Sequence, residues 1–313
     1  MRILVTGGAG FIGSNLVRRL ARDGHAVVVA DNLSMHGSTA LIADALSAGA
    51  RFCWCDIRCP EDLARLPAGP WDRVYHLAAS FANARSIEDP ELDLRTNAEG
   101  TLHVLAHARA AGCGLFVYTG SSSSYGDAPV PHREDGPLAP TTPYATSKHL
   151  GEQYVQASGL PHAVLRLFNV YGPGDPPGPY RNAIPNMIAA LHGPGRRIDI
   201  TGAGATRDFT FVDDVVDVLV RAETTAGNVV NVGTGVETPI LELAERILAL
   251  FDAPADRLTV GPRRPWDRVV RRLAAVERLQ AHLPGACSTP IAEGLPRAAR
   301  WLHEAGYLPR GPL

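Results

Sequence analysis

The chain has 313 residues, 45% of them hydrophobic and 20% charged, with a formal net charge of -2. That is the balance of a globular protein of roughly two domains, and it leaves no basic field for nucleic acid. No apolar run approaches the ~20 residues a membrane helix needs, and the strand-like run at 2–5 has no signal-peptide layout before it, so a cytoplasmic protein without membrane or nucleic-acid partners is expected.

Short apolar runs predict strands over 3–6, 26–30, 51–54, 74–77 and 115–119. Helical patterns fill the gaps, including 12–22 and a long stretch from about 92 to 111. This alternation is that of parallel βαβ units in a doubly wound α/β sheet, a Rossmann architecture. Pro143 suits the first position of another helix, and a strand follows over 162–168. From Tyr171 to Pro179 the chain is dense in Gly and Pro, the texture of a loop leaving a first domain. Beyond it, helices over 184–191, 215–223 and 241–251 mix with strands over 198–201 and 229–232. The expected division is a nucleotide-binding domain over 1–168, with returning segments from about 207–235, and a mainly substrate-binding smaller α/β lobe over 169–313. Ligands of such sheets bind at the carboxyl ends of the strands, so the cleft between the lobes is the expected site.

Two residue types are informative by their scarcity. The five cysteines (Cys53, Cys55, Cys59, Cys113 and Cys287) are odd in number and lack paired C-x2-C spacing. Reduced thiols and no metal site are expected. Of the 30 basic residues, only Lys148 is a lysine. Arg and Lys serve equally on most solvated surfaces but not where a compact ammonium is required, which marks Lys148 for chemistry.

Gly7, Gly10 and Gly13 have G-x-x-G-x-x-G spacing directly after the first strand, and Phe11 and Ile12 open the first helix. Glycines there permit a tight turn and close approach of a pyrophosphate to the helix N-terminus. About twenty residues on, Asp31-Asn32 ends the second strand. A carboxylate at that point accepts from ribose hydroxyls and repels a 2'-phosphate, which favours NAD over NADP. Asp56-Ile57, after the third strand, is expected near the adenine.

Tyr144 and Lys148 stand four residues apart on a predicted helix and so share a face. A free phenol, with a pKa of ~10, is a poor base at neutral pH, and a neighbouring ammonium is expected to lower it. Such a tyrosine exchanges a proton with a substrate hydroxyl while hydride passes to a nicotinamide.

With these elements in order, the chain resembles extended short-chain dehydrogenase/reductases of the nucleotide-sugar epimerase and dehydratase group, closest in pattern to the UDP-sugar 4-epimerases. Further matching elements are His76-Leu77-Ala78-Ala79, Asn97, Ser121 to Gly126, Arg166 to Pro173, Gly202 to Asp214 and Arg264-Pro265-Trp266-Asp267. The resemblance implies that Leu77, Ala78, Ala79 and Asn97 border the dinucleotide. It also makes Ser121, four residues before Tyr125-Gly126, the third catalytic member, its hydroxyl bonded to the reacting sugar oxygen. Family 4,6-dehydratases carry an Asp-Glu pair directly after that residue. Here Ser122 and Ser123 follow, hydroxyls that do not titrate near neutrality and would only line the substrate site. The reading that remains is 4-epimerisation of a UDP-sugar (UDP-glucose/UDP-galactose type) through a transient 4-keto sugar, with NAD regenerated in each cycle. The alternatives are a 4,6-dehydratase or 4-ketohexose reductase and, more remotely, a non-catalytic NAD-sensing protein.

In the second lobe the resemblance assigns Asn169 to a phosphate, Arg207 and Arg264 to the diphosphate, and Asp267 to the nucleotide ribose. It also implies a homodimer built on a helix pair that includes 92–111. Three departures stand out. Trp266 replaces a usual Gly, and Gly120 replaces a common Ser. Arg271 falls near a position that limits the sugar in related epimerases, where a cation either meets a carboxylate such as that of a hexuronic acid or points to solvent.

Overall fold

The computed structural model describes residues 1–34, 38–193, 195–264 and 267–309. Trp266 lies outside them. Seven parallel strands form the central sheet: β1 (Arg2–Thr6), β2 (Ala26–Asp31), β3 (Arg51–Trp54), β4 (Trp71–His76), β5 (Cys113–Ser121), β6 (His162–Leu167) and the returning strand Val229–Val232. Their order is β3-β2-β1-β4-β5-β6 and then Val229–Val232. Burial on both faces explains why β1 reads as an unbroken apolar run. Ile3 and Val5 join the core on one face and Leu4 the core on the other, as the two-residue period of a strand requires.

The first helix, Phe11–Arg22, lays Leu16, Val17 and Leu20 on the sheet and ends with Arg19 and Arg22 in its last turn, where cations suit the helix dipole. A separate apolar core lies in the C-terminal part, where helices Ala183–His192, Ile240–Leu250 and Ile291–Glu304 pack through Ile188, Ile247, Leu295 and Leu302. No described helix is long and apolar enough to cross a membrane.

The predicted single helix over 92–111 is instead broken. A short helix, Pro90–Leu94, passes through a π-helical turn, Arg95–Glu99, into the helix Gly100–Ala110. Side chains hold that turn: the Thr96 hydroxyl donates to the Leu92 carbonyl at 2.7 Å, and the Asn97 amide is tied to Ser80. Such polar capture of a helix backbone is invisible to apolar periodicity. The helix predicted over 215–223 starts earlier, at Val212, and ends at Val220, where a 3-10 turn takes over.

The helix Pro143–Ala157 starts as its sequence suggests, with Thr142 accepting from Ala145 N at 3.2 Å and Pro143 in the first turn. Its Gly151 allows close packing, because a Cβ there would stand 2.5 Å from the Tyr118 hydroxyl and 2.6 Å from the Asn97 carbonyl. One turn beyond Lys148, Glu152 reaches across to β6. Arg166 Nε donates to Glu152 Oε2 at 3.0 Å and Nη2 to Oε1 at 2.6 Å, both side chains almost wholly buried. Arg166 also donates to the Tyr125 hydroxyl at 2.7 Å, which in turn donates to Asn231 Oδ1 at 2.6 Å. A Cβ at Gly120 would be tight against this pair, 3.2 Å from Arg166 Cγ and 3.3 Å from Glu152 Oε2. Replacing Arg166 with Met leaves Glu152 buried with the Gln156 amide but without its cation, and is predicted to cost about 3–5 kcal/mol of stability in a urea titration. A loss below about 1 kcal/mol would show that the pair does not hold the helix to the sheet.

Candidate active site

A cleft of about 680 Å³ opens at the carboxyl ends of the strands and runs to the C-terminal segments. Of the site residues expected from sequence, all but Asn97 line it.

At its first end lies the glycine loop. Gly7 adopts φ +71, and a Cβ there would fall 2.5 Å from Ala78 N; at Gly13 it would fall 2.1 Å from the Gly7 carbonyl. Only glycine fits either place. No side chain caps the first helix, so the first-turn N–H groups of Phe11, Ile12 and Gly13 are left for a ligand in the cleft. Asp31 secures this loop, its two oxygens accepting from Ala9 N at 3.0 Å and Leu33 N at 2.8 Å. Burial raises the Asp31 carboxyl above its usual range, and those two backbone donors pull against it. The residues fit a dinucleotide: a cradle without Cβ atoms, a free helix start for a pyrophosphate and a carboxylate with remaining lone pairs for a ribose.

Beside Asp31, the Asn32 amide donates to Asp56 Oδ2 at 3.1 Å, and Arg58 Nε donates to Asp56 Oδ1 at 2.9 Å. The Arg58 hydrogen bonds hold the Asp56 carboxyl down at about 2. Arg58 is a cleft cation that the sequence reading missed, and Asp56 already neutralises it. Ile57 lines the same end, while Leu77, Ala78 and Ala79 line the cleft directly beside the glycine loop. His76, just before that wall, is wholly buried between Thr6 Oγ1 at 2.7 Å and Thr101 Oγ1 at 2.9 Å. Burial pushes its pKa down to about 3, so it joins elements as a neutral ring.

Asn97 does not line the cleft. Its Oδ1 accepts from Ser80 N at 2.9 Å, while Nδ2 donates to Ser80 O at 2.8 Å and Ser147 Oγ at 3.1 Å. The side chain is spent joining the cleft wall to the helix that carries Tyr144 and Lys148.

In the middle of the cleft, Tyr144 and Ser121 line the same wall, Ser121 influencing the Tyr144 phenol, and Ser121 Oγ accepts from Ser123 N at 3.1 Å. Lys148 Nζ stands 4.3 Å from the Tyr118 ring centroid, a cation–π contact. Burial drives its pKa down to about 8, with Asp93 and Glu152 holding it up. The expected lowering of the phenol is not what this geometry gives. Burial raises Tyr144, and the effects opposing it are those of the Ser121 hydroxyl and the charge of Arg272. Desolvation penalises the phenolate more than the nearby cations favour it.

The far end carries the second-lobe residues. Asn169 donates through Nδ2 to the Asp208 carbonyl at 3.0 Å. Arg207 donates to three backbone carbonyls (Thr206 at 2.8 Å, Val270 at 3.0 Å and Val269 at 3.2 Å), and its Nη2 lies 3.7 Å from Asp267 Oδ2. Arg264 and Asp267 line the cleft with it. Arg271 does not: it makes a two-pronged pair with Glu237 on the surface, at 2.9 and 2.6 Å. The next residue, Arg272, faces the cleft instead, with Nη1 3.4 Å from Ser123 Oγ. The five cysteines are all free, and among the described residues no three or more His, Cys, Asp or Glu side chains gather as a metal site.

A family model described as the NAD dependent epimerase/dehydratase family matches residues 3–233. The chain belongs to that family. Its relatives include the UDP-glucose 4-epimerase of Mycolicibacterium smegmatis, 41% identical over 263 residues, which span 81% of this chain and 84% of that one. The structure of the epimerase Mth375 from Methanothermobacter thermautotrophicus is similar with a TM-score of 0.90 and 38% identity, over 97% of this chain and 92% of that one. So is DesIV, a dTDP-glucose 4,6-dehydratase from Streptomyces venezuelae with NAD and TYD bound (TM-score 0.89, 30% identity, 98% and 99% covered). Epimerases and a dehydratase thus share this family's frame, and the cleft residues must separate them. As a check on the frame itself, Asn97→Ala is predicted to lower stability by about 1–3 kcal/mol, because Ser80 and Ser147 lose partners in a buried place. Unchanged unfolding together with weakened dinucleotide retention would return Asn97 to the cleft.

Proposed function

We propose that this chain is an NAD-dependent 4-epimerase of a UDP-sugar. The observation that carries the reading is a proton-transfer trio, Tyr144, Lys148 and Ser121, followed in the same cleft by Ser122 and Ser123. Oxidation at one carbon needs a single proton carrier at that hydroxyl. Elimination of a neighbouring hydroxyl needs titrating groups as well, and serine hydroxyls at 122 and 123 cannot supply them near neutral pH.

When bound, NAD supplies a reversible hydride acceptor. The chain's own residues do the rest. Gly7, Gly10 and Gly13 with the first helix start hold the pyrophosphate, and Asp31 takes ribose hydroxyls. Ser121 both donates and accepts, which suits an oxygen that alternates between alcohol and ketone. Tyr144, as the phenolate, takes the 4-hydroxyl proton and, as the phenol, later gives it back. Lys148 supplies the nearby positive charge. Arg207, Arg264, Asn169 and Asp267 hold the nucleotide diphosphate at the far end, so the 4-keto sugar turns over while its anchor stays fixed. This reading places the nucleotide domain in 1–168 with returning segments from about 207–235, and the substrate lobe mainly in 169–313. Exposed Leu94, Leu102 and Tyr154, on the helices 90–110 and 143–157, support the homodimer reading.

Incubation with UDP-glucose, UDP-N-acetylglucosamine and UDP-glucuronic acid, without added cofactor and followed by proton NMR, tests the proposal. A C4 epimer growing to equilibrium is expected, with turnover falling by a factor of 10² or more, about the contribution of one acid–base group, in Tyr144→Phe. A 4-keto-6-deoxy product would make the protein a dehydratase instead. Because Tyr144 must act as phenolate and burial holds its phenol above the usual range, while Lys148 loses its proton through about 8, the rate should rise with pH up to about 8 and level off above it. A rate still rising about tenfold per pH unit well above 8 would remove the ammonium from the mechanism.

A further inference from the structure

The segment 270–275 carries two adjacent arginines, and its hydrogen bonds decide which one enters the cleft. Thr206 N donates to Val270 O at 3.0 Å and Asp208 N to Arg272 O at 2.9 Å. On the other side, His132 N donates to Leu273 O at 2.8 Å and Ala275 N to His132 O at 2.9 Å. Held as extended chain along both borders, the segment points successive side chains to opposite sides. Arg271 therefore goes outward to Glu237 and Arg272 inward.

Arg272 is only 8% exposed. Among the described residues its buried Nε has no hydrogen-bond partner, and its one side-chain hydrogen bond is the long 3.4 Å contact to Ser123 Oγ. Three charged or titrating groups influence it: Arg207 repels it, whereas Asp267 and Tyr144 favour its charge. Among the described residues no carboxylate lies within ion-pair distance of it. Burial, with Arg207, pushes its pKa down to about 9, so it is still charged at neutral pH. A buried guanidinium kept without a carboxylate is costly unless an anion arrives to meet it. Its planar fork matches a carboxylate with two parallel N–H bonds.

We propose that Arg272 receives a carboxylate carried by the sugar ring, which makes the substrate class a nucleotide-linked hexuronic acid. This rests on the reading that Tyr144 and Ser121 work at C4. In a pyranose, C1 and C4 lie at opposite ends of the ring, so with C4 at Tyr144 the diphosphate on C1 points away, toward Arg207 and Arg264. The substituent that stays beside C4 is C6, a neutral CH2OH in a hexose and a carboxylate in a hexuronic acid. Arg272, 3.4 Å from Ser123 Oγ and within electrostatic reach of Tyr144 as well as of Arg207, borders the ring on the side of the serine turn.

Calorimetric titration of the holoenzyme with UDP-glucuronic acid, UDP-glucose and UDP tests the assignment. The wild type is expected to bind the acid roughly tenfold or more tightly than UDP-glucose, the scale of one charge-assisted pair. Arg272→Gln should abolish that preference and leave UDP within about threefold, while Arg272→Lys, which keeps the charge and loses the fork, should fall between. Arg271→Gln, at the surface, should change nothing. Equal weakening of all three ligands in Arg272→Gln would put the guanidinium on the diphosphate and overturn the proposal. So would a wild type that binds UDP-glucose as tightly as the acid, a result independent of any variant. Product NMR on the same samples separates the two claims: preferred binding of the acid without a C4 epimer sinks only the epimerase reading, and UDP-glucose epimerised with no preference for the acid sinks only this one.

Discussion

The buried Arg166–Glu152 pair is the constraint on which the rest of the site depends. Both charges are out of water, so each requires the other, and the energy that holds them together is directional. Glu152 stands on the same helix face as Tyr144 and Lys148, at four-residue steps, so pinning it to β6 sets the rotation of the whole helix. Arg166 continues the bond to Tyr125, at the end of the turn that begins after Ser121. One guanidinium thus aligns the helix of Tyr144 and Lys148 with the serine turn beside it. Gly151 is the place where that alignment demands a missing Cβ, against Tyr118, and a Cβ at Gly120 would be tight against the pair.

A second hub does the same for the far side of the cleft. Asp208, fully buried, accepts from Thr234 N and Gly235 N at 2.9 Å, from Thr234 Oγ1 at 2.6 Å and from Ala274 N at 3.3 Å. Four donors on one carboxylate fix the chain that carries Arg207 against the chain that carries Arg272. The two hubs leave the cleft with rigid walls and an uneven charge distribution. Asp31 and Asp56 mark the nucleotide end, whereas Arg207, Arg264 and Arg272 gather where anions of the substrate are expected. Preorganised charge of this kind favours an incoming ligand without further rearrangement.

Much of this was legible in the sequence because it depends on local period or spacing. The strands at 51–54, 198–201 and 229–232 were read to the residue, and Thr142-Pro143 announced its helix. The glycine loop and the Tyr144/Lys148 pair are local too, and they line the cleft as expected. What was missed depends on contacts far apart in sequence. The π turn exists because Asn97 is captured by Ser80 and Ser147, 17 and 50 residues away, so the same contact that breaks the helix removes Asn97 from the cleft. The phenol was expected to fall, yet burial outweighs the charges around it. Choosing between Arg271 and Arg272 required the register of 270–274 beside Thr206–Asp208, and no property of the Arg-Arg doublet discloses that.

The central claim is that a hydrogen leaves C4 and returns to C4, with proton traffic confined to Tyr144, Lys148 and Ser121. Turnover of a UDP-sugar in deuterium oxide, with the product examined by mass spectrometry and NMR, tests it most directly. The account predicts a C4 epimer with no solvent deuterium on carbon, because the serines at 122 and 123 cannot shuttle protons to C5 or C6. Deuterium at C5 or C6, or in a deoxygenated product, would contradict it.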